Sequence, residues 1–249
     1  MPEFAVYPSL KGRSVFVSGG GSGIGASIVE HFAGQGSKVC FVDIDEAASS
    51  ALARKTGAHF TNCDIRDVKA YQGAIAQAAA DNGTITVLVN NAARDDRHDL
   101  AGVTPAFWDE RIAVNLRHAY FAIQAVAPGM KQAGGGSIVN FSSVSYHTMT
   151  PRLSVYEAAK AAVIGMTRGL ARDLGPDRIR LNSITPGWIM TQRQIDLWLT
   201  PEAEADLMKA QVLKEKVYPP DIARMVLFLA SDDSRLISAQ NFVVDGGRI

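Results

Sequence analysis

The sequence predicts an α/β fold in which a parallel β-sheet is doubly wound, with helices on both faces. Three observations predict it. Short, almost wholly apolar runs rich in β-branched residues alternate with longer helical stretches along the chain. Such runs suit strands buried on both faces, and their alternation with helices implies right-handed crossovers. The first run leads directly into a glycine-rich turn and then a helix. No linker, repeat or change of composition divides the 249 residues, so the chain reads as a single domain over 1–249.

Each element follows in order. Ser14-Val15-Phe16-Val17-Ser18 is a buried strand, Gly19 to Gly25 a turn, and Ile24 to Ala33 a helix. Lys38 to Asp43 is the second strand, Ala47 to Lys55 a helix, and Ala58 to Cys63 a short strand. Val68 to Asp81 is alanine-rich and helical, and Val87-Leu88-Val89 is a strand ending in Asn90-Asn91. Pro105 to Met130 is a long helix, with Thr104 as N-cap and Pro105 at the first helical position. Gly134-Gly135-Gly136 is a tight turn into the strand Ser137 to Phe141. Ser154 to Leu174 is a helix, Ile179 to Ile184 a strand, Asp221 to Ser231 a helix, and Asn241 to Val244 a final strand. The pattern is of the Rossmann type. Residues 188–218 break its rhythm, and an extended insert at the carboxyl end of a strand is expected to cover a ligand.

Composition excludes several classes. Basic and acidic residues balance at 25 each without long runs, which predicts neither nucleic-acid binding nor a polybasic membrane patch. No apolar run approaches the roughly 18 residues of a spanning helix. Met1-Pro2-Glu3-Phe4 lacks the basic-then-apolar order of a secretory signal. Cys40 and Cys63 lie in or beside strands and read as buried apolar thiols, which fits a reducing cytoplasm. The five histidines lack ligand spacing, so no catalytic metal is expected; His31, His59 and His118 read as surface or satisfied core residues.

Residues 18–25 read S-G-G-G-S-G-I-G, with Gly19, Gly23 and Gly25 spaced G-x-x-x-G-x-G around Ser22 and Ile24. Missing side chains let backbone approach a pyrophosphate, and the helix that follows offers its first N–H groups to the anion. Asp43 ends the second strand, 18 residues after Gly25, close to the spacing of the acid that holds an adenosine ribose. A carboxylate there repels a 2′-phosphate, and neither Ile44 nor Asp45 is basic, so NAD is favoured over NADP. The alternative is that Asp43 caps the next helix. Asp64, with Ile65 beside it, is placed to meet the adenine edge.

The stretch from Ser143 to Lys160 sets a hydroxyl, the Tyr156 phenol and an ammonium at offsets of 13 and 4. Tyr156 and Lys160 are one helical turn apart and share a face. Together with the glycine turn they describe a protein that moves a hydride to or from a nicotinamide.

On these residues the chain resembles the short-chain dehydrogenase/reductase family over nearly its full length. The family's glycine motif is matched by Gly19, Gly23 and Gly25, and its N-N-A-G segment by Asn90-Asn91-Ala92, with Ala93 where glycine is usual. That alanine is expected to tighten the backbone beside the cofactor. The family's helix asparagine matches Asn115, and its serine, tyrosine and lysine match Ser143, Tyr156 and Lys160. The P-G-x-x-x-T segment that holds the nicotinamide amide matches Pro186-Gly187 and Thr191, with Ile189 between them. Tyr7-Pro8-Ser9-Leu10, Asp95-Asp96-Arg97-His98 and Pro186 to Thr191 resemble bacterial sugar dehydrogenases of this family, which oxidise C1 of aldoses such as galactose, arabinose, fucose or xylose. Arg94, where asparagine is expected, and the ending Arg248-Ile249, in place of an aromatic one, leave the sugar open.

The resemblance implies roles. Tyr156 is general base, primed by the Lys160 ammonium and by the positive ring of the oxidised cofactor. Ser143 holds the substrate oxygen, Lys160 also binds the nicotinamide ribose, and Asn115 binds a water that links Lys160 to solvent. Arg94, Ser145, His147, Trp188, Arg193, Gln194 and Trp198 are candidates to line a sugar pocket, whereas Asp95, Asp96 and Arg97 read as a solvated or salt-bridged loop. Apolar and small residues on the helices 105–130 and 154–174, among them Ala158, Ala159, Ala161, Ala162 and Gly165, suggest subunit packing. Related enzymes are commonly tetramers, and Arg248 and Ile249 are placed to reach a neighbour's pocket. Two competing readings stay open: a dehydrogenase of another secondary alcohol (a keto-deoxy sugar acid, a polyol or an acyl chain), and a nicotinamide-binding sensor without turnover.

Overall fold

The apolar runs form one seven-stranded sheet in the computed structural model, which describes residues 4–249. Of the opening stretch read for a secretory signal, Met1-Pro2-Glu3 lies outside the described residues. The strands are β1 (Ser14–Ser18), β2 (Lys38–Asp43), β3 (His59–Asn62), β4 (Val87–Asn90), β5 (Gly136–Phe141), β6 (Ile179–Pro186) and β7 (Asn241–Val244). They lie in the order β3-β2-β1-β4-β5-β6-β7, and every pairing is parallel. The order turns back on itself between β1 and β4. In such sheets ligands bind in the crevice beyond the carboxyl ends of the strands at that switch point.

Strand alternation sorts the core onto two faces. Val15, Val17, Val39, Phe41, Val87 and Val89 join Ile28, Phe32, Val226 and Leu229 on one side. Phe16, Cys40, Val42, Leu88 and Ile138 join Tyr71, Ile75, Ile123 and Met130 on the other. Helices α1 (Gly23–Gly34) and α10 (Pro219–Ala230) cover the first face; α3 (Val68–Asn82), α5 (His118–Gln132) and α7 (Ser154–Leu174) cover the second. Burying each large apolar side chain contributes about 1.5–3 kcal/mol. Cys40 and Cys63 are free and buried in the second core, and burial pushes the Cys40 thiol up to about 11. No helix of the described residues is long and apolar enough to cross a membrane.

Local chemistry sets the boundaries. Asp45 caps α2 (Glu46–Thr56) by accepting from Ala48 N, and Gly57, at φ 73°, ends it. Thr104 accepts from Phe107 N and, with Pro105, starts α4 (Pro105–Ile112). The long helix expected from 105 to 130 is interrupted. A π-helical turn over Ala113–Arg117 separates α4 from α5, and it holds Asn115. Such single turns widen the helix by one residue and often mark functional positions. The insert at 188–218 folds into α8 (Gln192–Trp198) and α9 (Pro201–Ala210), and Ile189 bridges Val217. A single-turn helix, α6 (Ser145–Thr148), which the sequence pattern did not suggest, follows β5.

Candidate active site

The turn after β1 is built to keep side chains out. Gly19 sits at φ +67°, and a Cβ there would lie 2.7 Å from Ala92 Cα. A Cβ on Gly25 would lie 1.8 Å from Gly19 O. The Ser22 side chain makes no cap bond at the N-terminus of α1, so the first amides of the helix face the cavity. That bare N-terminus carries partial positive charge and fits the pyrophosphate of a dinucleotide. Asn91 fixes the turn from outside: its Nδ2 donates to Gly19 O at 2.8 Å and to Ser18 O at 3.2 Å.

Asp43 does not cap α2, since Asp45 does so. Asp43 Oδ2 accepts from Gly21 N at 2.8 Å, and Oδ1 accepts from Ile44 N at 2.7 Å and Asp45 N at 3.0 Å. These bonds fix a carboxylate at the carboxyl end of β2. Asp64 is gripped by the Arg66 guanidinium and is held below the usual carboxylate range by it. Ala93 takes its place on the cavity wall without a positive φ, so its methyl group brings no backbone strain.

One cavity of about 720 Å³ runs from this turn across the strand ends to α8. It is lined by Gly19, Ser22, Gly23, Ile24, Gly25, Asp43, Ile44, Asp64, Ile65, Asn91 and Ala92 at one end. Ser143, Tyr156, Lys160, Pro186, Gly187, Ile189 and Thr191 line it as well, with Thr191 against Gly23 of the turn. Arg94, Ser145, Trp188, Arg193, Gln194 and Trp198 also line it. Two expected residues do not. His147 is exposed, with its ring 4.1 Å from that of Tyr146, because the one turn of α6 points it to solvent. Asn115 is wholly buried behind the wall. Its Oδ1 accepts from Arg94 N at 2.9 Å, and its Nδ2 donates to Arg94 O and Arg111 O. The side chain therefore clamps the loop after β4, and both of its amide hydrogens are committed.

Tyr156 and Lys160 share a face of α7, with the ammonium 5.7 Å from the phenol ring centre. Lys160 Nζ donates to Phe141 O at 2.8 Å, and Ser142 Oγ donates to Lys160 O at 2.7 Å. Burial pushes Lys160 down to about 7. Burial, followed by the nearby Asp95 carboxylate, pushes the Tyr156 phenol up, against the Ser143 hydroxyl, Arg97 and Arg193. In the protein alone, desolvation thus outweighs the groups that favour ionisation, and the phenol keeps its proton at neutral pH. Ser145 Oγ is buried at the cavity wall without any hydrogen-bond partner. An orphaned hydroxyl there is suited to a polar ligand.

Several lining residues were not expected. Asp95 and Arg97, read as a solvated or salt-bridged loop, are salt-bridged but also line the cavity, as do Thr148 and Thr150. Asp96 pairs with Arg94 at 2.8 Å and with the buried Arg111. Arg248 lines the cavity of its own chain. Acidic residues just past the end of β4, and the R-Q pair opening the insert, were the available signal. Among the described residues no group of His, Cys, Asp and Glu is placed to hold a metal ion.

His118 departs from the satisfied core residue expected of it. It is buried, 2% exposed, and the Ala113 and Val114 backbone lies beside its ring without giving either nitrogen a well-formed hydrogen bond. Burial, reinforced by the Lys160 charge, pushes it down to about 3. The unfolded chain binds this proton near pH 6.5. The folded chain refuses it until about pH 3. The stability His118 contributes is therefore full above about pH 6.5 and is lost as pH falls toward 3. A His118→Leu variant is expected to flatten the melting temperature over that window. Parallel melting curves for parent and variant between pH 6.5 and 4 would refute this.

A family model described as Enoyl-(Acyl carrier protein) reductase matches residues 19–248. The chain is 50% identical over 247 residues to a probable galactose dehydrogenase of Rhizobium meliloti, covering 97% of this chain and 96% of that one. It is 49% identical over 248 residues to a D-xylose 1-dehydrogenase of Caulobacter vibrioides, covering 98% of each. Among solved structures it is similar to a blue fluorescent protein from a metagenomic library in complex with NADPH, with a TM-score of 0.87 and 34% identity, covering 96% of this chain and 99% of that one.

Proposed function

We propose, for a chain that belongs to the short-chain dehydrogenase/reductase family, that it oxidises C1 of an aldose to the aldonolactone with NAD. The observation that carries the reading is a single cavity whose wall brings Ser143, Tyr156 and Lys160 together with a side-chain-free turn and with the polar Arg94, Ser145, Arg193 and Gln194. Two relatives named for aldose oxidation, each near half identity over almost the whole chain, support the sugar class. The whole chain acts as one catalytic unit, with 188–218 as its cover.

When bound, the nicotinamide supplies the hydride acceptor. The amides opening α1 hold its pyrophosphate, Asp43 its adenosine ribose, and the segment from Pro186 to Thr191 its amide end. Tyr156 removes the C1 hydroxyl proton, and Ser143 steadies the oxygen as its charge grows. Lys160 lies one turn below the phenol and stabilises its ionised form once it carries its own proton. A hemiacetal helps the step, because the ring oxygen shares the positive charge left at C1. Ser145, with its unpartnered hydroxyl, binds a sugar hydroxyl.

A panel of aldoses, polyols and sugar acids, each with NAD and NADP, tests the reading. Reduction of NAD with at least one aldose is expected, with kcat/KM for NAD above that for NADP, because Asp43 repels a 2′-phosphate. No turnover with any aldose, but turnover with a polyol or sugar acid, would replace the substrate class. Equal use of NADP would remove the role given to Asp43.

The enzyme is further read as a cytoplasmic homotetramer. Trp108 and Tyr120 are 45% and 44% exposed, and Ala158, Ala161, Ala162 and Gly165 form an uncovered strip on α7. Sedimentation is expected to give four copies; a monomer at micromolar concentration would reject the assembly.

A further inference from the structure

Three backbone amides hold the Asp43 carboxylate, and one of them comes from another element. Oδ1 accepts from Ile44 N and Asp45 N, which follow it in the chain. Oδ2 accepts from Gly21 N at 2.8 Å, across from the turn after β1. A carboxylate has about four accepting positions. One is therefore left, on Oδ2, for a hydroxyl of the adenosine ribose. Where that position points depends on where the Gly21 amide stands.

Gly21 stands there because it has no side chain. Its φ is not positive, so the backbone would suit any residue, and space alone selects glycine. A Cβ would overlap Ser49 Oγ and lie 3.0 Å from both Cγ and Oδ2 of Asp43. Ser49 belongs to α2, is wholly buried, and its hydroxyl has no hydrogen-bond partner. Gly21 is buried as well and does not line the cavity, so it acts on Asp43 from behind the wall. Its neighbour Gly20 is packed as tightly but against another group: a Cβ there would lie 2.6 Å from Phe41 Cδ2.

We propose that Gly21 is a positioning residue for cofactor choice, its bare amide aiming the Asp43 carboxylate at the adenosine ribose. A methyl group at this position pushes the carboxylate off that line. The displaced carboxylate loses its hydrogen bond to the ribose of NAD and its repulsion of the 2′-phosphate of NADP, so the preference for NAD shrinks. The proposal rests on the reading of Asp43 as the acid that holds the ribose.

The test is the pair of dissociation constants for NADH and NADPH, read by quenching of protein fluorescence without substrate, together with the melting temperature. The proteins are the parent, Gly21→Ala, Gly20→Ala, Ser49→Ala and the double variant Gly21→Ala/Ser49→Ala. Gly21→Ala is expected to weaken NADH at least about tenfold, the worth of one hydrogen bond to a charged group, and NADPH by less than about threefold, since a repulsion is lifted as well. Equal weakening of both would overturn the proposal, because a merely distorted turn loses the pyrophosphate that the two cofactors share. Gly20→Ala is expected to weaken both alike and keep the parent's ratio; a ratio lowered as far as in Gly21→Ala would also overturn it. In the double variant the overlap with Ser49 is gone and the contacts with Asp43 remain. Its melting temperature should therefore recover while the ratio stays low, and it reads the ratio even where Gly21→Ala alone does not fold. A ratio restored to the parent's would make displacement of α2 the cause and reject the role of Gly21. Ser49→Ala alone is expected to keep the parent's ratio. The underlying reading fails separately: a parent that binds NADPH as tightly as NADH would remove the role of Asp43 itself. A parent that favours NADH and passes that preference intact to Gly21→Ala would overturn this proposal alone.

Discussion

Tyr156→Phe is expected to lower kcat for aldose oxidation by about 10²–10⁴, the range a positioned general base supplies. The substitution removes one oxygen from a residue on the cavity wall. It leaves the ring, α7 and Lys160 in place. Cofactor affinity, read by quenching of protein fluorescence with NADH, is expected to stay within about threefold of the parent, since less than about 0.7 kcal/mol rests on that oxygen. The phenol is also predicted to gain stability only as a neutral group, because burial pushes its ionisation up. Melting temperature at neutral pH should therefore change little. A variant that binds NADH and turns over at the parent rate would remove Tyr156 from the chemistry. A variant that loses both binding and turnover would show that the oxygen holds the site together, not that it moves a proton.

The parts of this site that lie close together in sequence were legible before the structure. Strands buried on both faces read as apolar runs, and the glycine turn and the Tyr156–Lys160 pair each occupy a few consecutive residues. Their chemistry is local, so spacing is enough. The π turn at Ala113–Arg117 was not legible, because one extra residue per turn hardly disturbs an apolar stripe. It nonetheless sets Asn115 against the Arg94 peptide. The pairing of Asp95 with Arg193 spans 98 positions and depends on how the insert folds back. A charge in a loop reads as solvated until its partner is known. His147 fails for the opposite reason: it sits between two lining residues, Ser145 and Thr148, but on a single helical turn neighbours point in different directions. His118 reads as a surface or satisfied core residue, and only its depth reveals a ring without a well-formed hydrogen bond.

The other large effect lies at the turn, where Gly25→Ala is expected to weaken NADH binding by at least about 30-fold, or roughly 2 kcal/mol. The added methyl group would stand 1.8 Å from Gly19 O and 2.7 Å from Asn91 Nδ2. The first of these is backbone, which cannot swing aside as a long side chain can. Either α1 tilts away from the sheet or the turn opens; both move the amides that face the pyrophosphate, and overpacking of this kind costs about 1–3 kcal/mol of stability. Gly73→Ala separates this contact from a general effect of adding a methyl group to a helical glycine. Gly73 lies inside α3, has open space where the Cβ would go, and does not line the cavity. There the methyl group removes the flexibility cost of glycine, about 1 kcal/mol, so that variant should melt higher and bind NADH like the parent. If Gly25→Ala kept the parent's affinity and melting temperature, the turn would have room that its geometry denies, and the side-chain-free cradle would no longer explain how a dinucleotide is held.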